Sequence, residues 1–143
     1  MSKGGHESMA KIILATLCDD VREEKTGKFS LMGLFDRFLV TDFRAPLPPF
    51  WLFVQIGCDR EGEHNLDVEL RRLEGASVFH AEIKHQAIGK NSITGLCHAN
   101  INLRFEHLTV PGPGAYEVAL HSDGEHIGSL PIEVTQPPPR LVQ

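Results

Sequence analysis

Residues 116–126 read YEVALHSDGEH and carry the strongest hairpin signal in the chain. Tyr116, Val118 and Leu120 occupy every second position, which is the period of a strand with one buried face. Asp123-Gly124 follows at once. An Asp-Gly pair between two extended runs favours a type I′ turn, because both central residues of that turn need a positive φ. We therefore predict an antiparallel hairpin whose return strand covers residues 126–134.

The return strand changes parity part-way along. Ile127 has the inward parity, whereas Leu130, Ile132 and Val134 have the opposite one. One extra residue near Gly128-Ser129 would bring both sets onto one face. We therefore predict a β-bulge at that point.

The same alternation extends outward from the hairpin to the rest of the chain. Residues 97–105 alternate apolar and polar side chains and form the cleanest amphipathic strand. Residues 50–57 are apolar at both parities, which predicts a central strand covered on both faces. Residues 12–18 and 29–35 also have strand patterns, and Gly33 within the second indicates a bulge or a close backbone approach.

One segment, residues 65–75, fits both a helix and a strand. Leucines follow helical spacing from Leu66 to Leu73, between residues that can cap and terminate a helix. The strand interpretation uses every second residue from Leu66 to Leu70 and a return through residues 79–83. We favour the hairpin, because a neighbouring strand pairs its open edge, and the helix is the alternative.

The number and type of elements define the fold class. Roughly seven to nine strands without crossover helices exclude parallel βαβ architectures. We predict an all-β protein, an antiparallel two-sheet sandwich. The Pro-Gly-Pro-Gly segment at residues 111–114 leads into the last hairpin and favours the immunoglobulin-like type, with a jelly roll as the alternative. This gives a single domain at residues 10–136, a flexible leader at residues 1–9 and a Pro-rich tail at residues 137–143.

Composition and charge narrow the classes of function. The 143 residues carry 14 Lys and Arg against 19 Asp and Glu, a formal net charge of −5. Nucleic-acid binding depends on a basic patch, so this acidity argues against it. No apolar run approaches the roughly 18 residues of a membrane-spanning helix, and we expect no membrane insertion. The three cysteines lie far apart and cannot all pair, which predicts reduced thiols and a cytoplasmic protein.

Two stretches carry a resemblance to a known family. The first is LCDDVR at residues 17–22 with GKFSLMGLFDR at residues 27–37, and the second is PGAYEV at residues 113–118 with Asp123-Gly124. They resemble a family of small bacterial single-domain proteins of unknown function. The resemblance spans roughly residues 10–136 and implies a single β-sandwich. It implies no activity, substrate or catalytic residue.

The sequence contains no motif of a phosphate-binding loop, a nucleophile elbow or a zinc site. Cys97 and His98 are neighbours, which on a strand places them on opposite faces and excludes a dyad between them. We therefore expect no enzyme, no catalytic residue and no cofactor. His121 and His126 oppose each other across the predicted turn. They are only weak metal candidates, because zinc requires three or four protein ligands.

Two groups of polar residues are candidate binding surfaces. The polar side of residues 97–105 forms a stripe that suits a glycan, a peptide or another polar ligand; its members are His98, Asn100, Asn102 and Arg104. A charged corner combines a strand end with the charged segment before that strand; its members are Asp19, Asp20, Arg22, Asp36 and Arg37. The alternative for both groups is a solvated surface, on which an exposed ion pair contributes about 0–1 kcal/mol.

The run of residues 50–53 carries more large apolar groups than one buried face requires. Trp51 and Phe53 are therefore candidate contacts to a partner, since aromatic anchors dominate interface energies; alternatively, Trp51 closes the end of the sandwich. We predict a non-catalytic protein that acts through protein–protein contacts or self-assembly, with an unknown protein partner or a second copy. A small-ligand or carbohydrate-binding module is the alternative, and a metal-assisted enzyme is the second alternative.

Overall fold

The computed structural model describes residues 10–138, and the all-β class is confirmed because this range contains strands and no helix. Accordingly, no helix within it is long and apolar enough to span a membrane. The leader predicted at residues 1–9 and the tail beyond residue 138 lie outside the described residues. The nine strands are β1 (Ala10–Glu23), β2 (Phe29–Phe35), β3 (Arg37–Leu39), β4 (Phe50–Cys58), β5 (Gly62–Arg72), β6 (Ser77–Lys90), β7 (Cys97–Phe105), β8 (Gly114–Ser122) and β9 (Glu125–Thr135).

All nine strands belong to one sheet, in the order β2-β1-β4-β7-β6-β5-β8-β9-β3. β2 and β3 occupy opposite ends of this order, yet only Asp36 separates them in the chain. One residue spans at most about 3.6 Å, whereas each pair of neighbouring strands already takes about 4.8 Å. The sheet therefore curls until its two ends meet, and it is nearly closed into a barrel.

Contact between β1 and β9 also reflects this curling. Ile12 of β1 packs so closely on Gly128 of β9 that a Cβ atom added to Gly128 would lie 2.7 Å from Ile12 Cδ1. The two strands are not hydrogen-bonded to each other. Side-chain packing, not a ladder, therefore joins β1 to β9 across the nearly closed sheet.

The structure corrects the predicted antiparallel two-sheet sandwich in two respects. The first part of β6 pairs with β5, whereas Ile88 and Lys90 near its end pair with β7. This strand makes the two halves continuous, so they are not clearly separate sheets. In addition, β3 pairs with β9 in parallel, because the chain enters β3 by crossing between the sheet ends and not through a hairpin with β9.

The core lies inside the curled sheet and is built by every second residue of the central strands. Leu66, Val68 and Leu70 of β5 are among its most buried side chains. The helix alternative for residues 65–75 is therefore wrong, because a period of two and not 3.6 places these residues on one face. β4 buries residues of both parities, as predicted for residues 50–57.

The last hairpin confirms the predicted turn. Asp123 and Gly124 have φ angles of 50° and 86°, as a type I′ turn requires. The ladder between β8 and β9 shifts register at Ile127, which has no partner on β8. The bulge thus lies one residue before the predicted Gly128-Ser129.

Candidate functional site

The two ends of the sheet meet at β2, Asp36 and β3, and we call this region the seam. Asp36 accepts a backbone hydrogen bond from the Glu133 N–H at 3.1 Å. Arg37 Nε lies 3.1 Å from the Glu133 carboxylate. These two contacts hold the crossing segment against β9.

Three phenylalanines from different strands lie beneath the seam. The ring centroids of Phe35 and Phe38 are 5.0 Å apart, and those of Phe38 and Phe50 are 4.9 Å apart. The inclined arrangement of these rings is the one that aromatic quadrupoles favour. The cluster gives the seam an apolar and rigid base.

Two clefts flank the seam. One has a volume of about 210 Å³ and is lined mainly by Phe35, Phe38, Leu47 and Phe50, together with Asp19 and Arg37. The other has a volume of about 240 Å³ and lies between Ala15–Leu17 of β1 and Leu130–Ile132 of β9. Both are smaller than the roughly 300–1,000 Å³ of small-molecule pockets. They therefore suit the side chains of a partner better than a cofactor.

Three of the eight large apolar side chains that are exposed in the described residues lie on the strands of the seam. Met32 and Leu34 of β2 are 38% and 63% exposed, and Leu39 of β3 is 67% exposed. A single exposed apolar residue is normal on a protein surface. Three of them on two strands that adjoin in the chain make this surface a candidate for interaction.

β2 also presents a free strand edge. Among the strands of residues 10–138 it has one hydrogen-bonded neighbour, β1, so within that range the backbone groups on its other side have no strand partner. Natural sheets block such edges with short strands, prolines or bulges. The other unpaired stretches have these features: β3 has three residues, the part of β9 before its pairing with β3 contains Pro131, and the part of β1 before its pairing with β2 shifts register between Ile12 and Leu14. β2 has seven residues, no proline and a constant register with β1, and Gly33 in it has a φ of 70°.

The predicted charged corner lies partly at the seam. Asp36 and Arg37 of the corner belong to the seam, and Asp19 lines one of the clefts beside the seam. Asp20 and Arg22 form an exposed ion pair at 3.5 Å further along the hairpin. The segment 19–23 is part of β1 and not of a loop, because its pairing with β2 extends the strand to Glu23.

The polar stripe lies on the outer side of β7, and two of its four members contact residues outside the stripe. Gln55 Nε2 donates to Asn100 Oδ1 at 3.0 Å. Arg104 Nε lies 3.0 Å from the Glu106 carboxylate. His98 is half-buried, and Asn102 is exposed. Asn100 and Arg104 are thus engaged by neighbours, whereas His98 Nε2 is buried without a hydrogen-bond partner among residues 10–138.

The two predicted aromatic contacts have different positions. Trp51 is partly exposed, with the Arg104 guanidinium 5.9 Å from the centre of its ring. Phe53 is only 3% exposed, because the ring of Phe29 covers it at a centroid distance of 5.4 Å. Phe53 is therefore an interior residue and is not accessible to a partner.

The predicted histidine pair forms at the end of the last hairpin. His121 and His126 are directly opposed on β8 and β9, with ring centroids 5.1 Å apart. His126 Nε2 lies 3.2 Å from Ser129 Oγ. Within residues 10–138, no three His, Cys, Asp or Glu side chains come together as metal ligands. His121 and His126 thus remain two ligands only.

A buried ionic group near the same hairpin was not anticipated from the sequence. His64 is 3% exposed, and its Nδ1 lies 2.7 Å from Asp123 Oδ2. His85 stacks on it at a centroid distance of 5.8 Å, and both ring nitrogens of His85 are buried without a partner. His64 continues the inward parity of Leu66 on β5, so the period-two pattern already contained the signal for its burial.

The cysteines have the properties of interior residues. All three are buried and carry free thiols. Burial, with the nearby charges of Asp123 and Asp59, raises the pKa of the Cys58 thiol to about 11. Burial also raises the pKa of the Cys18 thiol. Because the thiolate is the reactive form, these two thiols are poor nucleophiles at neutral pH.

The fold and the site define an all-β protein with a nearly closed nine-stranded sheet and an exposed seam. Residues 13–135 match the model of a family of unknown function, DUF6941. The chain belongs to this family, which confirms the resemblance to a family of unknown function. No curated protein matches the chain.

Several solved structures match the chain at low similarity. Alkylpurine DNA glycosylase AlkC of Pseudomonas fluorescens, bound to DNA containing an abasic site analog, is 11% identical with a TM-score of 0.48, covering 88% of this chain and 30% of that one. The β-glucosidase of Listeria innocua in complex with glucose is 11% identical with a TM-score of 0.46, covering 90% of this chain and 16% of that one. A β-glucosidase of Erythrobacter marinus is 7% identical with a TM-score of 0.49, covering 90% and 16%. The chain thus spans a third or less of each, and these similarities carry no argument about function.

Proposed function

We propose that the protein is non-catalytic and acts through protein–protein contacts made at the seam. The observation that carries this proposal is the free edge of β2, which is longer than the other end strand, β3, and carries exposed Met32 and Leu34. A partner strand can add to such an edge through main-chain hydrogen bonds. The clefts beside Phe35 and the exposed Leu39 then supply apolar contacts for its side chains.

Site-specific photo-cross-linking in the native cell tests this proposal. A photoreactive phenylalanine is placed at Leu34 or Leu39 in the seam, and at Leu73 or Ile93 as controls. The controls are exposed and apolar but lie in the turns after β5 and β6. We expect discrete adducts from the two seam positions and none from the two controls. Equal adducts from all four positions, or adducts from the controls alone, would overturn the proposal.

We also propose that the curled sheet is a variant of the immunoglobulin-like sandwich. Its support is Tyr116 at the start of β8, whose buried hydroxyl donates to the Gly112 carbonyl at 2.6 Å. This contact corresponds to the tyrosine corner of immunoglobulin-like domains. For the compartment we propose the cytoplasm, supported by the three free thiols.

A further inference from the structure

We propose that the partner at the seam is a second copy of this chain, paired antiparallel through β2; this rests on the proposed function. A symmetric dimer joins the same surface of both copies. When two identical strands pair antiparallel around a two-fold axis, the residue on the axis lies opposite itself. A residue a given number of positions before it lies opposite the residue the same number of positions after it in the other copy. Met32 is the central residue of Phe29–Phe35. A pairing centred on Met32 therefore spans the strand from end to end, with Gly33, whose φ is 70°, opposite Leu31 of the second copy.

The side chains of β2 match one another in this register. Met32 meets Met32 of the second copy on the axis, and Ser30 meets Leu34 of the second copy on either side. These positions share one face of the strand, and on that face Met32 and Leu34 are exposed in the single chain. The pairing therefore brings the exposed apolar side chains of two copies together.

The charges at the ends of β2 also match in this register. Lys28 precedes the strand and Asp36 follows it, so a pairing centred on Met32 places Lys28 of one copy opposite Asp36 of the other. The two-fold axis generates this pair twice. In the part of the chain that the structure describes, both residues are exposed and neither forms an ion pair.

The neighbouring two-fold registers do not place Lys28 and Asp36 opposite each other. A pairing centred on Leu31 places Lys28 opposite Leu34, and one centred on Gly33 places Asp36 opposite Ser30. Opposite charges stabilise directly opposed positions of a sheet, whereas an unmatched register loses these contacts. Length, apolar contacts and charge thus select the same register.

Cysteine cross-linking tests the register directly. In Met32→Cys the two new thiols lie on the axis, and directly opposed residues have Cβ atoms about 4.5–5.5 Å apart. Oxidised glutathione would then convert the two thiols into one disulfide and leave reduced glutathione. The native cysteines do not compete, because all three are buried. We expect a linked dimer of twice the 15.9 kDa chain mass for Met32→Cys, and none for Ile93→Cys, whose position is 92% exposed.

Charge exchange tests the same register without a covalent bond. We expect Lys28→Glu and Asp36→Lys each to weaken dimerisation about tenfold, because two exposed pairs are lost at once. The double variant Lys28→Glu/Asp36→Lys restores the pairs and should restore the dissociation constant. Sedimentation over a concentration series measures all four proteins.

The outcomes separate this inference from the proposed function. A wild-type protein that stays monomeric at every soluble concentration overturns the second copy as partner. So does a dimer that Met32→Cys fails to link or that the double variant fails to restore. In each case, photo-adducts of Leu34 and Leu39 with a different protein would leave the proposed function standing. Adducts that do not distinguish the seam from the controls would overturn the proposed function itself.

Discussion

His64 Nδ1 lies 2.7 Å from Asp123 Oδ2 and thereby joins the beginning of β5 to the turn between β8 and β9. The other ring nitrogen, Nε2, lies 2.9 Å from the carbonyl oxygen of Arg60. A carboxylate and a carbonyl can only accept, so both ring nitrogens donate and His64 is a buried imidazolium. The Asp123 carboxylate also accepts from the Asn65 N–H at 2.9 Å. The turn is thus fixed by an ion pair as well as by its backbone conformation.

The pKa values of this group reflect competition between burial and hydrogen bonding. Burial by itself lowers the pKa of His64, but its bonds to Asp123 and to the Arg60 carbonyl raise it overall. Burial by itself raises the pKa of Asp123, but its bonds from Asn65 and His64 lower it overall. For His85, burial and then the positive charge of His64 lower the pKa.

We expect the free energy of unfolding to pass through a maximum near the ordinary histidine pKa of about 6.5. The raised pKa of His64 means that its stabilisation is complete below that pH and is lost as the pH rises through the folded-state value. The lowered pKa of His85 has the opposite sign, so its stabilisation is lost as the pH falls below that point. Stability should thus fall on both sides of the maximum, along an acid limb and an alkaline limb. Urea unfolding at pH values from 5 to 9 would measure both limbs.

Two variants assign the limbs to their residues. His64→Gln should flatten the alkaline limb and leave the acid limb, whereas His85→Gln should do the reverse. If the wild type and His64→Gln had the same slope above neutral pH, the imidazolium assignment would be wrong.

Asp123→Asn separates the ion pair from the turn. Asn-Gly is as favourable as Asp-Gly in a type I′ turn, so the backbone preference is kept while the charge beside His64 is removed. We expect a loss of about 2 kcal/mol at pH 6, the contribution of a hydrogen bond to a charged group. The loss should shrink as the pH rises and His64 becomes neutral in the wild type. A stability equal to that of the wild type at pH 6 would contradict the ion pair.

The strands were predictable from the sequence because their pattern is local. Alternation along residues 97–105 and 116–122 reports which side of the backbone faces the core, and Asp123-Gly124 defines its turn without reference to the rest of the molecule. The same pattern assigned β5 correctly over its helical competitor. Local patterns therefore identified the elements and the last hairpin.

The order of the strands and the seam were not predictable in this way. β4 lies between β1 and β7, which are far apart in the chain, and such pairing depends on how side chains of distant segments fit. The chain crosses between the sheet ends at Asp36 and then pairs β3 with β9 in parallel, and no local signal marks this crossing. The residues of the charged corner were identified from the sequence, but the position of the corner near a free strand edge and two clefts became visible only in the folded structure. Phe53 was misplaced because a strand pattern cannot show that Phe29 covers its outer face.

Tyr116→Phe tests the contact at the start of β8. The Tyr116 hydroxyl donates to the buried Gly112 carbonyl at 2.6 Å, and the variant removes only this donor. We expect a loss of about 1–2 kcal/mol, because the carbonyl is left buried without its partner. The Arg72 guanidinium over the ring at 5.3 Å should be retained, since phenylalanine keeps the aromatic face. An unchanged denaturation midpoint would show that the hydrogen bond contributes nothing to stability.

Gly33→Ala tests the close approach that the sequence indicated in β2. Gly33 has a φ of 70°, and a Cβ atom at this position would overlap the Asp19 carboxylate. The left-handed conformation alone costs a residue with a Cβ about 1–2 kcal/mol. Gly27 provides a matched control, because its φ is 85° but a Cβ added there meets nothing within 4 Å.

We therefore expect Gly33→Ala to reduce the free energy of unfolding more than Gly27→Ala does. The difference reports the displacement of Asp19, since the backbone contribution is common to both variants. Removing most of that side chain in Asp19→Ala/Gly33→Ala should recover part of the difference but not the backbone cost. Urea denaturation of the four proteins measures these terms. Equal losses for Gly33→Ala and Gly27→Ala would show that Asp19 moves aside freely and that the close approach adds no constraint on residue 33.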